Sequence, residues 1–468
     1  MHLEPSPLVV GAVTVRNIHF TGIFGTGMSA LAQYLRFRGV AVSGSDRLLD
    51  SADTALMRQS LEGLGCAIVS QDGSGIDENT DAVCISTAIE ESNPDVAAAH
   101  GQGIPIVHRS DVLSAIMASR RTIAVAGTSG KSTVTAMIFE FLTACGKSPS
   151  LISGAPLKRL EGDGLIGNAY NGESDLLVVE ADESDGTLVK YGPQVSVILN
   201  VSKDHRSVEE VKELFRVLAS RSSWVAVNGD DPALFALPAS AKFGKNDSAT
   251  WRPDREELFP TSVKLFRKGV EYHLPLPGEH NLENLRAALC VCEHLGCEGP
   301  MLAEVVKEFQ GVARRFSINR TKQNVYVIDD FAHNPAKIAA AVTAARGLSK
   351  RIFAVYQPHG FGPTRFLKGE YIATFQDIFQ ANDSLYLLPI YYAGGTAQKD
   401  ITSEDIVGSL GAVPFRKEAI SDRNELLDKL VARVQAGDCI LVMGARDPSL
   451  PGLVKKVVAL FGGQAGGD

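Results

Sequence analysis

Hydrophobic and polar positions follow two patterns that recur along the whole chain. Short apolar runs such as VRNIHFTGI and TIAVAG have the length and the β-branched content of buried strands. A glycine-rich turn follows each of these two runs, and then comes a stretch with helical spacing of its apolar residues, such as MSALAQYLRFRG. Strand, turn, helix and strand in this order form a βαβ unit. The repeated pattern predicts an α/β protein that is built on mainly parallel sheets.

The same pattern predicts three domains. A polar, basic stretch near residue 120, ASRRT, separates the first series of strands and helices from a second series that begins at TIAVAG. The second series closes with NLENLRAALCVCEHLG, and a third series begins near residue 313 and includes YVIDDFAH. The total length of 468 residues agrees with three domains, because one domain takes roughly 150 residues. We place the predicted domains at residues 1–119, 120–312 and 313–468.

Composition limits the partners and the compartment. The formal net charge is -8, whereas binding to nucleic acid or to an anionic membrane is favoured by clustered positive charge. No apolar run reaches the roughly 18 residues of a membrane-spanning helix, and MHLEPSPLVV does not resemble a signal peptide. Seven cysteines, an odd number in a long chain, argue against a disulfide framework. We expect a cytoplasmic protein, monomer or homodimer, that binds small molecules and neither nucleic acid nor membrane.

The sharpest chemical motif is AGTSGKST, which follows the strand TIAVAG and opens a helix. Backbone N–H groups of such a turn surround phosphate, the lysine reaches the β- and γ-phosphates, and the next hydroxyl contacts Mg²⁺. The general pattern has Gly at position 125, where this chain has Val. A glycine-rich turn with an incidental lysine is the alternative, but strand, loop and helix occur in the required order. The motif therefore predicts an ATP site at Gly127, Thr128, Ser129, Gly130, Lys131, Ser132 and Thr133.

Acidic and polar residues follow the next two strands of the central domain. EADESD begins at Glu180 directly after LLVV, and NVSKDH ends at His205 after VSVIL. The carboxyl ends of parallel strands form the edge of a sheet where α/β proteins hold ligands. Because Mg²⁺ prefers oxygen donors shared with phosphates, Glu180 and Ser132 are predicted metal ligands, and His205 is a softer third candidate. A solvated acidic turn and a surface histidine are the alternatives.

A second glycine cluster, GIFGTGMS, follows the first strand. Glycine lets the backbone approach a diphosphate closely, although the spacing G-x-x-G-x-G is not that of the dinucleotide fingerprint. A nicotinamide-dependent dehydrogenase would use this cluster but would leave the ATP loop unexplained. The candidate diphosphate-binding residues are Gly22, Gly25, Thr26, Gly27, Met28, Ser29 and, at the end of the next strand, Asp46.

Together these motifs resemble the Mur ligases, and most closely the group that joins UDP-N-acetylmuramate to L-alanine. HFTGIFGTGMSALA is similar to that group's uridine-diphosphate loop, AVAGTSGKSTVTAM to its ATP loop and VVEADESDG to its acidic metal segment. GEHNLENLRAAL, ARRFSI, IDDFAHNP and QPHGFGPTR are similar to further family segments. The resemblance implies a Rossmann-like N-terminal domain for the UDP-sugar, a central P-loop domain for ATP and a Rossmann-like C-terminal domain for the amine.

The resemblance also implies roles for single residues. The implied ATP contacts outside the loop are His280, Asn281, Asn284, Arg315 and Asp330. The implied catalytic residues are Lys131, Glu180, His205, Asp330 and His333. The implied amine-binding residues are His359, Arg365 and Tyr391. Lys212 is a candidate for the carbamylated lysine that would help to hold a second Mg²⁺.

The implied reaction is ATP-dependent amide formation through an acyl phosphate, with hinge motion expected near residues 311–315. The chain departs from the family pattern at two places, and the first of them concerns the amine. Gly360 follows QPH, where the alanine ligases typically have an arginine, and GARDPSL differs from the usual G-A-G-D. L-alanine, a preformed tripeptide in a recycling reaction and another amine therefore stay open as substrates. A non-catalytic nucleotide-binding protein is a further alternative.

Overall fold

The computed structural model of the chain describes residues 7–183, 186–202, 207–392 and 398–463. Its three large sheets are mostly parallel and lie among helices, as the hydrophobic pattern predicts. The chain forms two compact units. The first unit comprises Met1–Glu257, Lys264–Pro275 and Asn281–Val312. The second unit comprises Leu258–Val263, Leu276–His280 and Ala313–Asp468.

The first part of the first unit is a small hairpin and a five-stranded parallel sheet. Its strands are β1 (Leu8–Val10), β2 (Val13–Val15), β3 (Asn17–Thr21), β4 (Ala41–Ser45), β5 (Ala67–Val69), β6 (Ala82–Ile85) and β7 (Ile106–His108). Its helices are α1 (Thr26–Phe37), α2 (Ala55–Gly63), α3 (Pro94–Gln102) and α4 (Arg109–Ala118). In the strand order β5-β4-β3-β6-β7, β4 and β5 follow on one side of β3, and β6 and β7 follow on the other. Parallel sheets bind ligands at the carboxyl ends of the strands where the order changes sides in this way.

A seven-stranded sheet and a three-stranded sheet follow. The strands are β8 (Arg121–Ala126), β9 (Ser150–Ile152), β10 (Ala169–Tyr170), β11 (Leu176–Glu180), β12 (Val195–Ile198), β13 (Trp224–Asn228), β14 (Ala241–Phe243), β15 (Arg255–Leu258), β16 (Val263–Arg267) and β17 (Val270–Leu274). The helices are α5 (Lys131–Ala144), α6 (Lys158–Gly162), α7 (Val208–Ser220), α8 (Glu279–His294) and α9 (Gly299–Glu308). In the order β10-β9-β11-β8-β12-β13-β14 the strand β8 is central, which explains its uninterrupted apolar run.

The second unit contains a six-stranded sheet. Its strands are β18 (Ser317–Arg320), β19 (Tyr326–Asp330), β20 (Ile352–Gln357), β21 (Ser384–Leu387), β22 (Arg416–Ala419) and β23 (Cys439–Gly444). Its helices are α10 (Pro335–Arg346), α11 (Phe361–Ile378), α12 (Ser403–Ser409), α13 (Arg423–Arg433) and α14 (Leu450–Leu460). In the order β18-β19-β23-β20-β21-β22 the strand β23 lies between β19 and β20, and all residues of β20 and β23 are buried. Only the edge strand β18 pairs antiparallel within this sheet.

None of the helices in the described residues is long and apolar enough to cross a membrane. The seven cysteines are free thiols, and all of them except Cys145 are buried.

Candidate active site

The turn between β8 and α5 has the backbone of a phosphate-binding loop. Gly127 and Gly130 have φ angles of 150° and 84°, which residues with side chains rarely adopt. Helix α5 begins at Lys131, so the N–H groups of its first turn, which have no partner within the helix, lie at the end of the loop. A Cβ atom on Gly130 would collide with the side chain of Asn284 from α8. Glycine is therefore required here both by φ and by the close approach of a second helix.

Asn200, which follows β12, holds the loop in place. Its Oδ1 accepts hydrogen bonds from Oγ1 of Thr128 at 3.0 Å and from the backbone N of Ser129 at 2.9 Å. Its Nδ2 donates to the carbonyl oxygen of Ser129 at 3.2 Å. Because β12 pairs directly with β8, a residue after β12 is adjacent to a loop after β8. Asn200 therefore positions the loop, a role that the loop motif alone did not indicate.

Lys131 lies among carboxylates at the carboxyl edge of the sheet. Its Nζ is 2.7 Å from Oε2 of Glu183 and 3.7 Å from Oδ1 of Asp182, and it donates to the carbonyl oxygen of Gly127 at 2.8 Å. Burial by itself would lower the pKa of Lys131, but the charges of Glu183, Asp182 and Glu180 outweigh it and raise the pKa. The ammonium group is therefore charged at neutral pH. The sequence placed Glu183 in an acidic turn, and only the fold shows that it pairs with the lysine.

The predicted metal ligands lie on neighbouring elements. Glu180 ends β11, which pairs with β8, and its Oε2 accepts a hydrogen bond from the N–H of Gly154 at 2.9 Å. Ser132 lies in the first turn of α5. Within the described ranges no group of three or more His, Cys, Asp or Glu side chains could hold a metal ion. His205 lies outside the described residues, and Lys212 lies on α7.

The glycine cluster after β3 forms a tight turn that leads into α1. The N–H groups of Gly22 and Ile23 donate to the carbonyl oxygen of Ser45 at 2.8 and 3.0 Å. Asp46 accepts a hydrogen bond from Phe24 N at 3.0 Å and is 8% exposed, so its carboxylate supports the turn. The exposed residues of the turn are Gly25 and Thr26.

Besides Asp46, Met28 and Ser29 of the predicted diphosphate site have buried side chains. Met28 is 3% exposed and Ser29 is fully buried, and the Ser29 hydroxyl donates to the carbonyl oxygen of Thr26 at 3.1 Å. The side chains of these two residues therefore do not face a ligand, and the N–H of Ser29 already donates to the carbonyl oxygen of Gly25 at 2.8 Å. Asn168, which precedes β10, holds the same turn, because its Nδ2 donates to the carbonyl oxygen of Thr26 at 2.9 Å.

Arg109 links this turn with the acidic segment beside Lys131. Its Nη1 lies 3.2 Å from the position that a Cβ atom on Gly27 would take, and its Nη2 lies 3.7 Å from Oδ2 of Asp182. Arg109 is the first residue of α4, and His108 and Asp111 form a capping box at this helix end. The fold therefore places a guanidinium group between the glycine turn and the ATP loop, which no local motif indicated.

Helix α8 contains three of the implied ATP contacts outside the loop, His280, Asn281 and Asn284. Asn281 and Asn284 are 4% and 6% exposed, and Asn284 donates to Asn281 Oδ1 at 3.3 Å. Burial lowers the pKa of His280 at the start of the helix, so its imidazole is mostly neutral at pH 7. Arg286, which is 1% exposed, pairs with Asp230 at 2.9 Å and with Glu256 at 2.7 Å. This buried ion cluster anchors the helix whose Asn284 contacts the loop.

In the second unit, the carboxylate of Asp330 is close enough to Arg315 for their charges to interact. Asp330 ends β19, and its carboxylate accepts hydrogen bonds from Phe316 N and Ala332 N, both at 2.7 Å. Burial raises the pKa of Asp330 to about 6, although the nearby charge of Arg315 opposes this rise. The guanidinium carbon of Arg315 lies 4.9 Å from the centroid of the Phe331 ring. Both residues are thus held at the carboxyl end of β19.

The predicted histidines of the second unit meet at the same edge. The ring centroids of His333 and His359 are 5.3 Å apart, although the two residues follow β19 and β20, which flank β23. Nδ1 of His333 lies 2.9 Å from the carbonyl oxygen of Phe331, so it carries the proton and leaves Nε2 as an acceptor. Lys337 Nζ lies 3.4 Å from that Nε2. This edge therefore contains a proton acceptor beside a cation.

The other two predicted amine-binding residues have different surroundings. Tyr391 pairs with the chain beside His359, because its N–H donates to the carbonyl oxygen of Pro358 and its carbonyl accepts from Gly360 N, both at 2.8 Å. Arg365 on α11 forms an ion pair with Asp400. Tyr391 is thus brought to the histidines, whereas the charge of Arg365 is already matched by a carboxylate.

Three stretches of the chain match domains of one family. Residues 17–121 match the Mur ligase family catalytic domain, residues 125–292 the Mur ligase middle domain, and residues 314–446 the Mur ligase glutamate ligase domain. A UDP-N-acetylmuramate–L-alanine ligase from Symbiobacterium thermophilum is 33% identical over 465 residues and covers 92% of each chain. The chain belongs to the Mur ligase family.

Further relatives agree with this membership. A UDP-N-acetylmuramate–L-alanine ligase from Renibacterium salmoninarum is 34% identical over 451 residues, which are 92% of this chain and 93% of the relative. The crystal structure of the UDP-N-acetylmuramate-alanine ligase MurC from Thermotoga maritima has a TM-score of 0.77 at 26% identity and covers 95% of this chain and 98% of its own. A murein peptide ligase from Psychrobacter arcticus, at 19% identity, shares the fold with a TM-score of 0.70 and covers 96% of this chain and 99% of its own.

As a Mur ligase, the chain is an ATP-dependent ligase with three α/β Mur ligase domains. This confirms the family resemblance and the fold class that the motifs predicted. The hypothesis of a nicotinamide-dependent dehydrogenase, which was based on the first glycine cluster, is therefore wrong.

Proposed function

We propose that this Mur ligase joins UDP-N-acetylmuramate to L-alanine with ATP, through an acyl phosphate. The observation that supports this most is the loop at residues 127–133, whose lysine lies among carboxylates directly beside Arg109 and the glycine turn. The curated relatives of that name, which match 92% of the chain at 33–34% identity, give the substrates. We place the reaction in the cytoplasm.

Each predicted domain has one part in this proposal. Residues 1–119 bind the UDP-sugar at the turn Gly22–Gly27, and residues 120–312 bind ATP at the loop. Residues 313–468 bind the amine at the edge where His333 and His359 meet. Hinge motion near residues 311–315 during turnover stays a prediction, and so does a monomeric or homodimeric state.

Lys131 has the central part in the first step. The carboxylate of the sugar substrate attacks the γ-phosphorus of ATP, the bond from this phosphorus to the bridging oxygen of ADP breaks, and the acyl phosphate forms. Negative charge accumulates on the transferred phosphoryl group and on the leaving ADP oxygen. The charged ammonium of Lys131 and the backbone N–H groups of the loop stabilise that charge. ATP binding exchanges the contact between Lys131 and Glu183 for a contact with phosphate.

The donors beside the loop fit a Mg²⁺ ion. Glu180 supplies a carboxylate and Ser132 a hydroxyl, which are the hard oxygen ligands that Mg²⁺ shares with nucleotide phosphates. When bound, the ion would neutralise part of the charge on the phosphates. Mg²⁺ usually keeps several waters and shares phosphate oxygens, so these two protein donors would suffice, with phosphate oxygens and water as the remaining ligands.

The second step needs an uncharged amine. His333 offers Nε2 as a proton acceptor, and the carbonyl oxygen of His333 accepts hydrogen bonds from Tyr356 and Tyr371 at 3.1 and 2.7 Å. These bonds hold the backbone of His333 in place. The amine nitrogen attacks the acyl carbon, and the resulting tetrahedral intermediate expels phosphate and leaves the amide. We assign to His333 the acceptance of the amine proton and to Asp330 and Arg315 the contact with the phosphates.

The test is phosphate release from ATP with Mg²⁺ and UDP-N-acetylmuramate, with L-alanine, glycine, L-serine and L-Ala-γ-D-Glu-meso-diaminopimelate supplied separately. Release that depends on L-alanine is expected, and Lys131→Ala should reduce it about 100- to 1000-fold, by analogy with the loss of a main electrostatic group in other enzymes. Lys147→Ala, at the opposite end of α5, is the matched control and should keep full activity.

The amine arms separate the alternatives. Release with the tripeptide alone would replace the proposal by a recycling ligase, and release with another amino acid alone would replace L-alanine. ATP binding without release in any arm would contradict a ligase that acts on UDP-N-acetylmuramate and would favour a different acid substrate or a non-catalytic nucleotide-binding protein.

A further inference from the structure

The carboxyl end of β23 leads into a strained turn with an arginine at its centre. Arg446 has a φ of 61°, in the left-handed region where glycine is favoured. The N–H of Asp447 donates to the carbonyl oxygen of Ala445 at 2.7 Å, which closes a three-residue turn around Arg446. An arginine in such a turn costs conformational energy that glycine would not. Backbone strain of this kind clusters at active sites and ligand-binding positions.

The turn is held rigidly by the residues that follow it. Asp447 is 5% exposed, accepts hydrogen bonds from the N–H and the hydroxyl of Ser449, and pairs with Arg423 at 2.7 Å. On the strand side, Gly444 lies against Gln357 of β20 and its carbonyl accepts from Arg314 at 2.7 Å. These contacts stabilise the turn without using the side chain of Arg446, which is exposed.

The turn lies at the edge of the sheet where His333 and His359 meet, which is the proposed amine site. Because β23 is between β19 and β20, the rings of His333 and His359 meet across its carboxyl end. Gln357 of β20 pairs with Gly444 of β23 in the sheet. His359 comes two residues after Gln357, and Arg446 comes two residues after Gly444. Arg446 thus belongs to the loop between the two histidine-bearing loops.

The neighbouring cations of this unit are already engaged, whereas Arg446 is not. Arg365 pairs with Asp400, Arg423 with Asp447, and Lys337 lies 3.4 Å from His333. Over the described part of the chain, Arg446 has no hydrogen bond through its side chain and no ion pair. An amino acid that reacts through its nitrogen keeps its carboxylate, which needs a cation for specific binding.

We propose that Arg446 binds the carboxylate of the amine substrate and thereby selects a free α-amino acid. This inference rests on the proposed function, because it requires an amino acid as the amine. It assigns to the turn after β23 the cation that position 360, a glycine with a φ of 70°, does not provide. The guanidinium fork would form two charge-assisted hydrogen bonds with the carboxylate, a geometry that lysine cannot reproduce.

The experiment compares Arg446→Gly, Arg446→Lys and wild type in the full-length enzyme, with L-alanine and with L-alaninamide, which lacks the carboxylate charge. Arg446→Gly should raise KM for L-alanine by about 10- to 100-fold, the usual value of a charge-assisted pair. KM for ATP and for UDP-N-acetylmuramate should stay within about twofold, and KM for L-alaninamide should not rise. Arg446→Lys should lie between the two.

Strain provides an independent readout. Arg446→Gly removes a left-handed arginine, so its melting temperature should be equal to or above that of wild type, and a loss of alanine affinity cannot then be ascribed to misfolding. Lys268→Gly is the matched control, since Lys268 is an exposed cation with a φ of 48° in the turn between β16 and β17. It should be stabilised in the same way and keep its KM for L-alanine.

The outcomes are distinguishable. Wild type that releases no phosphate with L-alanine overturns the proposed function, whereas active wild type with an unchanged KM in Arg446→Gly overturns the role of Arg446. A parallel rise of KM for L-alanine and L-alaninamide would also contradict it, because recognition would then not involve the carboxylate.

Discussion

Glu140 offers a test of how burial acts on the helix behind the ATP loop. It lies in α5 and is 2% exposed. Within the described residues its Oε1 has no hydrogen-bond partner. Burial raises the pKa of Glu140 from 4.5 to about 7, and the charge of Arg159 offsets only part of this effect. The folded protein therefore binds the proton of Glu140 more tightly than the unfolded chain does.

The sign and size of the effect follow from this difference. As pH rises from 4.5 to about 7, the unfolded chain releases the proton before the folded protein does, so the free energy of unfolding decreases across this window. A rise of the pKa from 4.5 to about 7 corresponds to about 3 kcal/mol in the high-pH limit. Between pH 5 and pH 8 the expected loss is about 2.5 kcal/mol. Glu140→Gln has no charge at this position and should not show that loss.

The assay is urea unfolding followed by tryptophan fluorescence at both pH values. The chain has 2 tryptophans, Trp224 and Trp251, and both lie in the same unit as Glu140. The free energy of unfolding of Glu140→Gln minus that of wild type should increase by about 2.5 kcal/mol from pH 5 to pH 8. Glu173→Gln, at an exposed position of this unit, should leave the pH dependence unchanged. Parallel pH curves for wild type and Glu140→Gln would refute the reasoning.

Three further predictions concern charged groups. Because the pKa of Asp330 is about 6, kcat/KM should fall as the pH drops through about 6 and this carboxylate is protonated. Asp330→Asn should be slow and should not show this fall at acidic pH. If the variant still shows the fall, another group causes it. Arg286→Met leaves Asp230 and Glu256 without their buried cation and should cost about 3 kcal/mol in urea unfolding, whereas a loss below about 1 kcal/mol would show that solvent compensates them. Arg109→Ala should raise KM for UDP-N-acetylmuramate about 10- to 100-fold and leave KM for ATP nearly unchanged, and equal changes in both would contradict a role at the glycine turn.

Properties that depend on neighbouring residues were predictable from the sequence. The apolar runs and their spacing indicated α/β sheets, because burial of a strand or of a helix face imposes a period on the chain. The loop at residues 127–133 was equally evident, since its function depends on adjacent backbone N–H groups and on the lysine that opens α5. Glu180 could be placed at a strand end for the same reason. Asp330 was indicated only by the family resemblance, and the structure places it at the end of β19.

The contacts that complete the site were decided by tertiary structure. Thr128 and Asn200 are 72 positions apart, and only the pairing of β8 with β12 brings them together. Arg109 reaches Gly27 and Asp182 because two sheets of one unit lie next to each other.

The two departures from the family pattern show the same division. The sequence by itself determined which side chains are present, a glycine at position 360 and an arginine at position 446. Only the fold places both residues after adjacent parallel strands, with Arg446 held in a left-handed turn. The reason is physical: covalent neighbours determine local backbone and hydrogen-bonding groups, whereas the partner of a charge is determined by which strands pair, and that depends on the burial of the whole core.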